Sequence, residues 1–347
     1  MQSVSLIGCF GLTFLILWFG PVILHAVRKE KNWKGLLALY MAVLCSLIIY
    51  GGVRLHNAPT TEEHNVRTAS IVGPYYQKFS DVNADPLPFD ETLAYFKSEV
   101  RRAVEDGAKI LCWNEEAFDI LENREEDWLS AAKELAKAHD LTLILPYEMG
   151  DMDNSDGGLA SNKLMIIQPD GSMTSYFKTH MVPVTEAPNY VKGNSEIPSI
   201  RTKYGVISAI ICFDDSYISF MHGFGAKVNK EFPNTDILFA PSWDWEDIAE
   251  VHSTLTEFRA MENGYALVKP TYDGISVVVD RYGRRLLEKD IAQIGYDSVC
   301  CVDVPVTGQQ TFYGRWGNVI DPALACVGII LLITAVIRMK VVKPESP

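Results

Sequence analysis

The chain has 347 residues, enough for one large domain or two ordinary ones with a sizeable core. Its 31 basic and 44 acidic residues give a formal charge of −13, which argues against nucleic acid as a partner, because phosphate binding needs a basic face. Apolar residues make up 48% of the sequence and gather at its two ends.

In chain order the first element is VSLIGCFGLTFLILWFGPVILHAV, residues 4–27, which has no charged residue and the length of a bilayer-spanning helix, roughly 20 residues. Gly20 and Pro21 mark an expected kink in it. Further apolar runs cover 35–53 and 319–337, and a helix satisfies its own backbone, so each is a permitted span. The first run does not read as a cleaved signal peptide: it lacks a basic leading segment, is too long, and is followed directly by another span. The loop RKEKNWK and the tail RMKVVK are basic while MQSVSL is not, which sets the orientation. The N-terminus is expected outside, 28–34 inside, 54 to about 318 outside and the C-terminus inside.

Between these spans, β-branched runs alternate with amphipathic helical patterns. Strands are expected at 67–72, 109–113 and 141–146, with helices at 90–106 and 125–139. Hairpins follow, 163–168 with 173–177 about the turn PDGS, and 201–204 with 206–212 about Gly205. A strand at 236–240, a helix at 247–263 and strands at 266–270 and 275–280 complete the pattern. Hairpins mixed with helical crossovers predict a layered α/β sandwich. The acidic loop MGDMDNSDGGLA is out of register with a calcium loop, with Asn162 where a bidentate Glu is required, and reads as a solvated connection.

Of seven cysteines, Cys9, Cys45 and Cys326 fall in the apolar runs. Cys112, Cys212, Cys300 and Cys301 show neither a CxxC motif nor a zinc-ligand spacing. Cys300 and Cys301 read as strand residues, one facing in and one out. No metal or cofactor is expected.

Three stretches end strands on chemically matched groups: ILCWNEEA with Glu115, YFKTHMVPVTE with Lys178 and Glu186, and ICFDDSY with Cys212. Together they would supply a carboxylate base, an ammonium and a thiol. A thiol is a poor nucleophile until a base or a cation shifts it towards thiolate. A Glu can take that proton and return it to a leaving group, and a Lys can neutralise the oxyanion formed by attack on an acyl carbon.

This order resembles the carbon-nitrogen hydrolase (nitrilase) superfamily and, more narrowly, the apolipoprotein N-acyltransferases. Their W-P-E-x-A is matched by Trp113 to Ala117, which singles out Glu115 over Glu116. Their Y-x-K-x-H-L-V-P-F-G-E is matched by Tyr176 to Glu186, with Met181, Val184 and Thr185 as departures. Their I-C-Y-E is matched by Ile211 to Asp214, with Phe for Tyr at 213 and Asp for Glu at 214. The stretches 252–284 and 311–318 also resemble the family, although Lys269 stands where Arg is common and PSWDW departs from N-D-x-W.

The resemblance implies an α-β-β-α sandwich over 55–318, two membrane helices with a basic cytoplasmic loop in 1–54, and a last membrane helix with a basic tail in 319–347. The resembled enzymes carry a larger helical bundle ahead of the domain, so a reduced lipid-docking surface is expected. Glu115, Lys178 and Cys212 become the expected catalytic triad, supported by Glu186, Phe213 and Asp214. Trp113, Trp243 and Trp245 are candidate substrate contacts, with a place at the membrane interface the equal alternative for Trp243 and Trp245. His180 and His252 are expected to pack and hydrogen-bond. The implied activity is acyl transfer from a membrane phospholipid to an amine such as a lipoprotein N-terminus, at a bacterial-type inner membrane. A tethered amidase acting on a small amide uses the same residues, and an inactive binding domain is a further reading.

Overall fold

Two helices with almost wholly apolar surfaces open the chain, α1 (Val4–Val27) and α2 (Trp33–His56), both long and apolar enough to cross a membrane. The computed structural model describes residues 1–59, 64–73, 88–150, 159–221, 234–295 and 297–341. The backbone of α1 leaves helical geometry at Gly8, where φ is +65° and the Tyr313 ring lies against the Cα, rather than at the expected Gly20–Pro21. The break frees the Cys9 N–H, which donates to Glu262 Oε1 at 2.7 Å.

The domain that follows contains β1 (Asn65–Val72), α3 (Phe89–Glu105), β2 (Ile110–Trp113), β3 (Asp119–Ile120), α4 (Glu125–His139), β4 (Thr142–Met149), β5 (Ser161–Ile167) and β6 (Met173–Phe177). Its second half contains β7 (Ser199–Thr202), β8 (Gly205–Ala209), β9 (Ile237–Phe239), β10 (Ser242–Trp243), α5 (Ala249–Asn263), β11 (Ala266–Lys269) and β12 (Thr271–Tyr272). It continues with β13 (Ile275–Val279), β14 (Arg285–Asp290) and β15 (Ser298–Pro305) before helix α6 (Phe312–Val341), which holds the third apolar run.

Two mixed sheets result, in the orders β15-β1-β2-β4-β5-β6 and β14-β13-β11-β9-β8-β7. Each has three parallel strands at its centre, β1-β2-β4 and β11-β9-β8, flanked by antiparallel neighbours. Parallel strands need both faces covered, and the layering supplies this. Ile110, Cys112, Ile144 and Ile166 on one sheet meet Ile207, Ala209 and Phe239 on the other in an inter-sheet core. The alternate residues Leu111, Trp113, Leu143 and Leu145 face outward onto Phe96 and Val100 of α3 and Trp128 and Ala132 of α4. Helix α5 covers the second sheet over β11 and β13 and ends on Gly264, at φ +85°, where a Cβ would meet the Gln309 carbonyl. The α-β-β-α sandwich is thus formed as expected.

Several local expectations change. The strand expected at 206–212 ends at Ala209, and Cys212 instead opens a 3-10 turn, Cys212–Ser216. The half-exposed, charged strand β14 and the two-residue strands β10 and β12 were not anticipated. Cys300 and Cys301 do lie on a strand, both partly buried. Most of the acidic loop, 151–158, lies outside the described residues.

Candidate active site

The carboxyl ends of the central strands converge at one edge of the sandwich, the usual place for a ligand in open α/β sheets. Glu115 follows β2. The chain there is fixed by Asn114, whose N–H donates to the Ile71 carbonyl at 3.0 Å and whose Oδ1 accepts from the Gly73 N–H at 3.3 Å. Glu115 Oε1 accepts from Lys178 Nζ and from Asn162 Nδ2, each at 2.7 Å, and Oε2 accepts from the Trp243 N–H at 2.8 Å. With both oxygens engaged, the carboxylate is held in one orientation although it is buried.

Lys178 lies one residue past β6, entirely out of solvent. Its Nζ also donates to Glu186 Oε1 at 2.6 Å, while Glu186 Oε2 accepts from the Val182 N–H at 2.8 Å and so ties down the loop. Burial alone would lower the Lys178 pKa, but the neighbouring Glu115 and Glu186, with the hydrogen bond to Glu115, offset it and hold the ammonium above its usual range. Burial and the neighbouring Glu115 charge push Glu186 up, as they do Glu116, which shares Asn162 Nδ2 at 2.9 Å.

Cys212 stands above this pair. Its N–H donates to the Pro241 carbonyl at 2.9 Å and its φ is +44°, a left-handed value rare outside glycine. The thiol is 4% exposed and lies 3.8 Å from the Trp243 carbonyl, so Cys212 and Glu115 meet at opposite atoms of residue 243. Burial raises the thiol pKa, the Glu115 charge adds to it, and Lys178 opposes both. The resting group is therefore a thiol with a carboxylate and an ammonium close by. Such a set can pass a proton and neutralise an oxyanion.

The other sequence-derived residues divide by what they touch. Buried Asp214 accepts from the Tyr176 hydroxyl at 2.7 Å and from the His180 N–H at 2.8 Å, binding the cysteine turn to the lysine loop. His180 also stacks on Tyr217, with ring centroids 3.8 Å apart. Phe213 lies beside Cys212 and lines an apolar slot. Trp243 and Trp245 border a cavity in front of Glu115. Trp113 does neither. Strand alternation turns its side chain towards the helices, where it packs on Phe96 and Phe118 and its Nε1 donates to Glu99 at 2.7 Å, so it is core rather than a substrate contact.

A second charged network on the other side of Cys212 was not visible in the sequence. Asp215 accepts from Lys269 Nζ and from His252 Nε2, each at 2.9 Å, and His252 Nδ1 donates to Asp244 at 2.6 Å. Burial, the largest single influence, would lower the His252 pKa, but the Asp215 charge and the hydrogen bonds to Asp215 and Asp244 together outweigh it and raise the pKa to about 9, which favours an imidazolium at neutral pH. Sulfur, imidazole and carboxylate atoms of Cys212, His252 and Asp244 lie within 4.8 Å of one another. Both ring nitrogens meet carboxylates, His252 Nδ1 on Asp244 and Nε2 on Asp215, which makes the group an ion-pair network.

Three spaces adjoin these residues. A polar cavity of about 510 Å³ is lined by Glu115, Glu186, Tyr190, Trp243 and Asp244 among others. An almost wholly apolar slot of about 220 Å³ lies between Cys212, Phe213, Val182, Ile248 and Leu255. A groove of about 700 Å³ runs between α1 and α6 past Phe14, Leu17 and Pro322, and shares Ser216 with the slot.

Comparison with known proteins gives the same frame. A carbon-nitrogen hydrolase profile matches residues 83–307. The apolipoprotein N-acyltransferase of Rhodopseudomonas palustris is 26% identical over 96% of this chain and 66% of its own length. That of Rickettsia bellii is 23% identical over 100% of this chain and 70% of its own. The chain thus spans about two thirds of the curated relatives it matches. Among solved structures, an amidase from Nesterenkonia sp. superposes with a TM-score of 0.55 at 19% identity, over 72% of this chain and 93% of that one.

Proposed function

From the premise that this chain belongs to the carbon-nitrogen hydrolase family, we propose that it is a membrane-anchored thiol acyltransferase working through Glu115, Lys178 and Cys212. In this reading residues 1–54 and 319–347 anchor a catalytic domain, 55–318, on the extracytoplasmic face of a bacterial-type inner membrane. Glu115 takes the Cys212 proton as the sulfur attacks an ester carbonyl, and Lys178 neutralises the oxyanion. The ester C–O bond breaks, the alcohol leaves with the proton from Glu115, and the acyl group stays on sulfur as a thioester. An amine then attacks, Glu115 takes its proton, the C–S bond breaks and the thiol is restored. Glu186 holds the ammonium in place, and Asp214 holds the turn.

The observation that carries transfer of a lipid acyl group is the apolar slot beside Cys212, which meets the groove between α1 and α6 at Ser216. An acyl chain is the occupant such a lining favours. By likeness to the N-acyltransferases, the donor is a phospholipid and the acceptor a lipoprotein N-terminus. The polar cavity in front of Glu115 favours a second reading, hydrolysis of a small amide, in which water resolves the thioester. Incubating the purified chain with phospholipid and a diacylated lipopeptide distinguishes the two by mass spectrometry. Transfer yields a peptide heavier by one acyl chain, whereas free fatty acid without that product supports hydrolysis. Cys212→Ala is expected to lose all labelling by a lipid-like activated ester, and undiminished labelling would sink both readings.

A further inference from the structure

Far from the thiol, the last turn of α2 and the turn after β13 bring three guanidinium groups around one ring. Arg54, Arg281 and Arg284 lie 5.3, 5.0 and 5.4 Å from the ring centroid of Tyr282, within cation–π range. Arg284 is paired with Asp280 at 2.5 Å. Among the described residues, Arg54 and Arg281 have no carboxylate within ion-pair distance and are held by neutral acceptors. Arg54 donates to Gln2 Oε1 at 2.9 Å and to the Arg281 carbonyl at 3.2 Å, and Arg281 to the Thr307 carbonyl at 2.6 Å. Arg281 Nε is shut off from water and has no acceptor among the described residues.

A cavity of about 280 Å³ opens against these two arginines, lined also by Tyr50, Tyr282, Gln310 and Phe312, and no Asp or Glu among the described residues lines it. In a chain of net charge −13, Arg54 and Arg281 give this cavity a positive lining among the described residues. Two like charges with no counter-ion among the described residues are costly, and an anion with several acceptor oxygens relieves that cost. The place narrows the choice of anion. Arg54 ends one apolar helix, Phe312 begins another, and Leu6 and Phe312 on the rim continue into apolar helix surface.

We propose that this pocket binds the phosphodiester of an anionic phospholipid headgroup at the membrane–water boundary, with Arg54 and Arg281 as its cationic contacts. Guanidinium forks match phosphate oxygens in pairs, and basic pockets between membrane helices suit lipid headgroups. The inference rests on the membrane placement of α1 and α2, and not on the chemistry of Cys212. Membrane fractionation of the full chain therefore tests its premise separately.

The test is native mass spectrometry of the detergent-purified chain titrated with phosphatidylglycerol, alongside thermal unfolding with and without the lipid. The wild type should retain one lipid and unfold at higher temperature with it, since a ligand of the native state raises stability. Arg54→Gln/Arg281→Gln should bind at least about tenfold more weakly and lose the shift, as expected on losing charge-assisted hydrogen bonds. Arg28→Gln/Lys31→Gln, in the loop at the opposite ends of these helices, should leave both unchanged. Should the double variant not accumulate, Arg281→Gln carries the test with the same loss expected. Equal binding by wild type and variant, equal loss in the loop variant, or competition by inorganic phosphate as effective as by lipid would each overturn the proposal.

Discussion

Replacing Lys178 by methionine removes the one ammonium between two carboxylates. Its Nζ lies 2.7 Å from Glu115 and 2.6 Å from Glu186, contacts worth about 6 kcal/mol each before desolvation at an effective dielectric of about 20. The two carboxylate oxygens cannot be farther apart than those contacts laid end to end. Their mutual repulsion is therefore at least about 3 kcal/mol once the cation is gone. Removing one partner of a buried ion pair typically costs about 3–5 kcal/mol, which for a domain of this size lowers the melting temperature by about 10 °C. Adding Glu186→Gln to Lys178→Met removes one of the repelling charges and should recover more than half of that loss. It should not recover chemistry: acyl-enzyme formation from an activated ester should stay about 10²–10³-fold down in both variants, because the oxyanion still lacks its cation. Melting is followed by tryptophan fluorescence and acylation by intact-protein mass spectrometry. A Lys178→Met protein that melts like wild type, or a double variant that regains labelling, would refute this account of the ammonium.

The buried His252 makes stability depend on alkaline pH. Its folded pKa of about 9 lies above the 6.5 of the free side chain, so its contribution is complete below about pH 6.5 and is lost as pH rises through 9. The contribution is about 3 kcal/mol at full strength. His252→Gln should flatten the decline in melting temperature over that window, and a decline of the same size in the variant would count against the pairing with Asp215 and Asp244. Leu255→Trp should narrow the slot beside Cys212. Labelling by a long-chain activated ester should then fall at least about tenfold more than labelling by an acetyl ester, reflecting several methylenes denied burial. Equal losses for the two esters would show that the slot does not hold the chain.

Much of the sandwich was legible because its signals are local. Helix α4 begins and ends where its 3.6-residue pattern does, and β6 is bounded by a turn whose chemistry is explicit. Strand β14 was not, because RLLEKD lies at a sheet edge, half exposed, and shows no clean alternation. The trio Glu115, Lys178 and Cys212 could be picked out because each follows a recognisable strand. Asp215, Asp244, His252 and Lys269 could not, since a turn, a loop, a helix face and a strand end meet only in the folded chain. Trp113 shows the converse. It belongs to a motif beside the site, yet the two-residue period of β2 sends its indole to the opposite face.

The left-handed backbone at Cys212 has a consequence for how this sequence drifts. A non-glycine residue at φ +44° is strained by about 1 kcal/mol or more, and glycine would relieve that strain. Selection for folding alone therefore pulls position 212 towards glycine, and only a need for the sulfur resists it. Copies of this gene freed from their reaction should lose the cysteine early and become more stable for it, so a glycine at this turn in a sister sequence marks a domain retained for something other than chemistry.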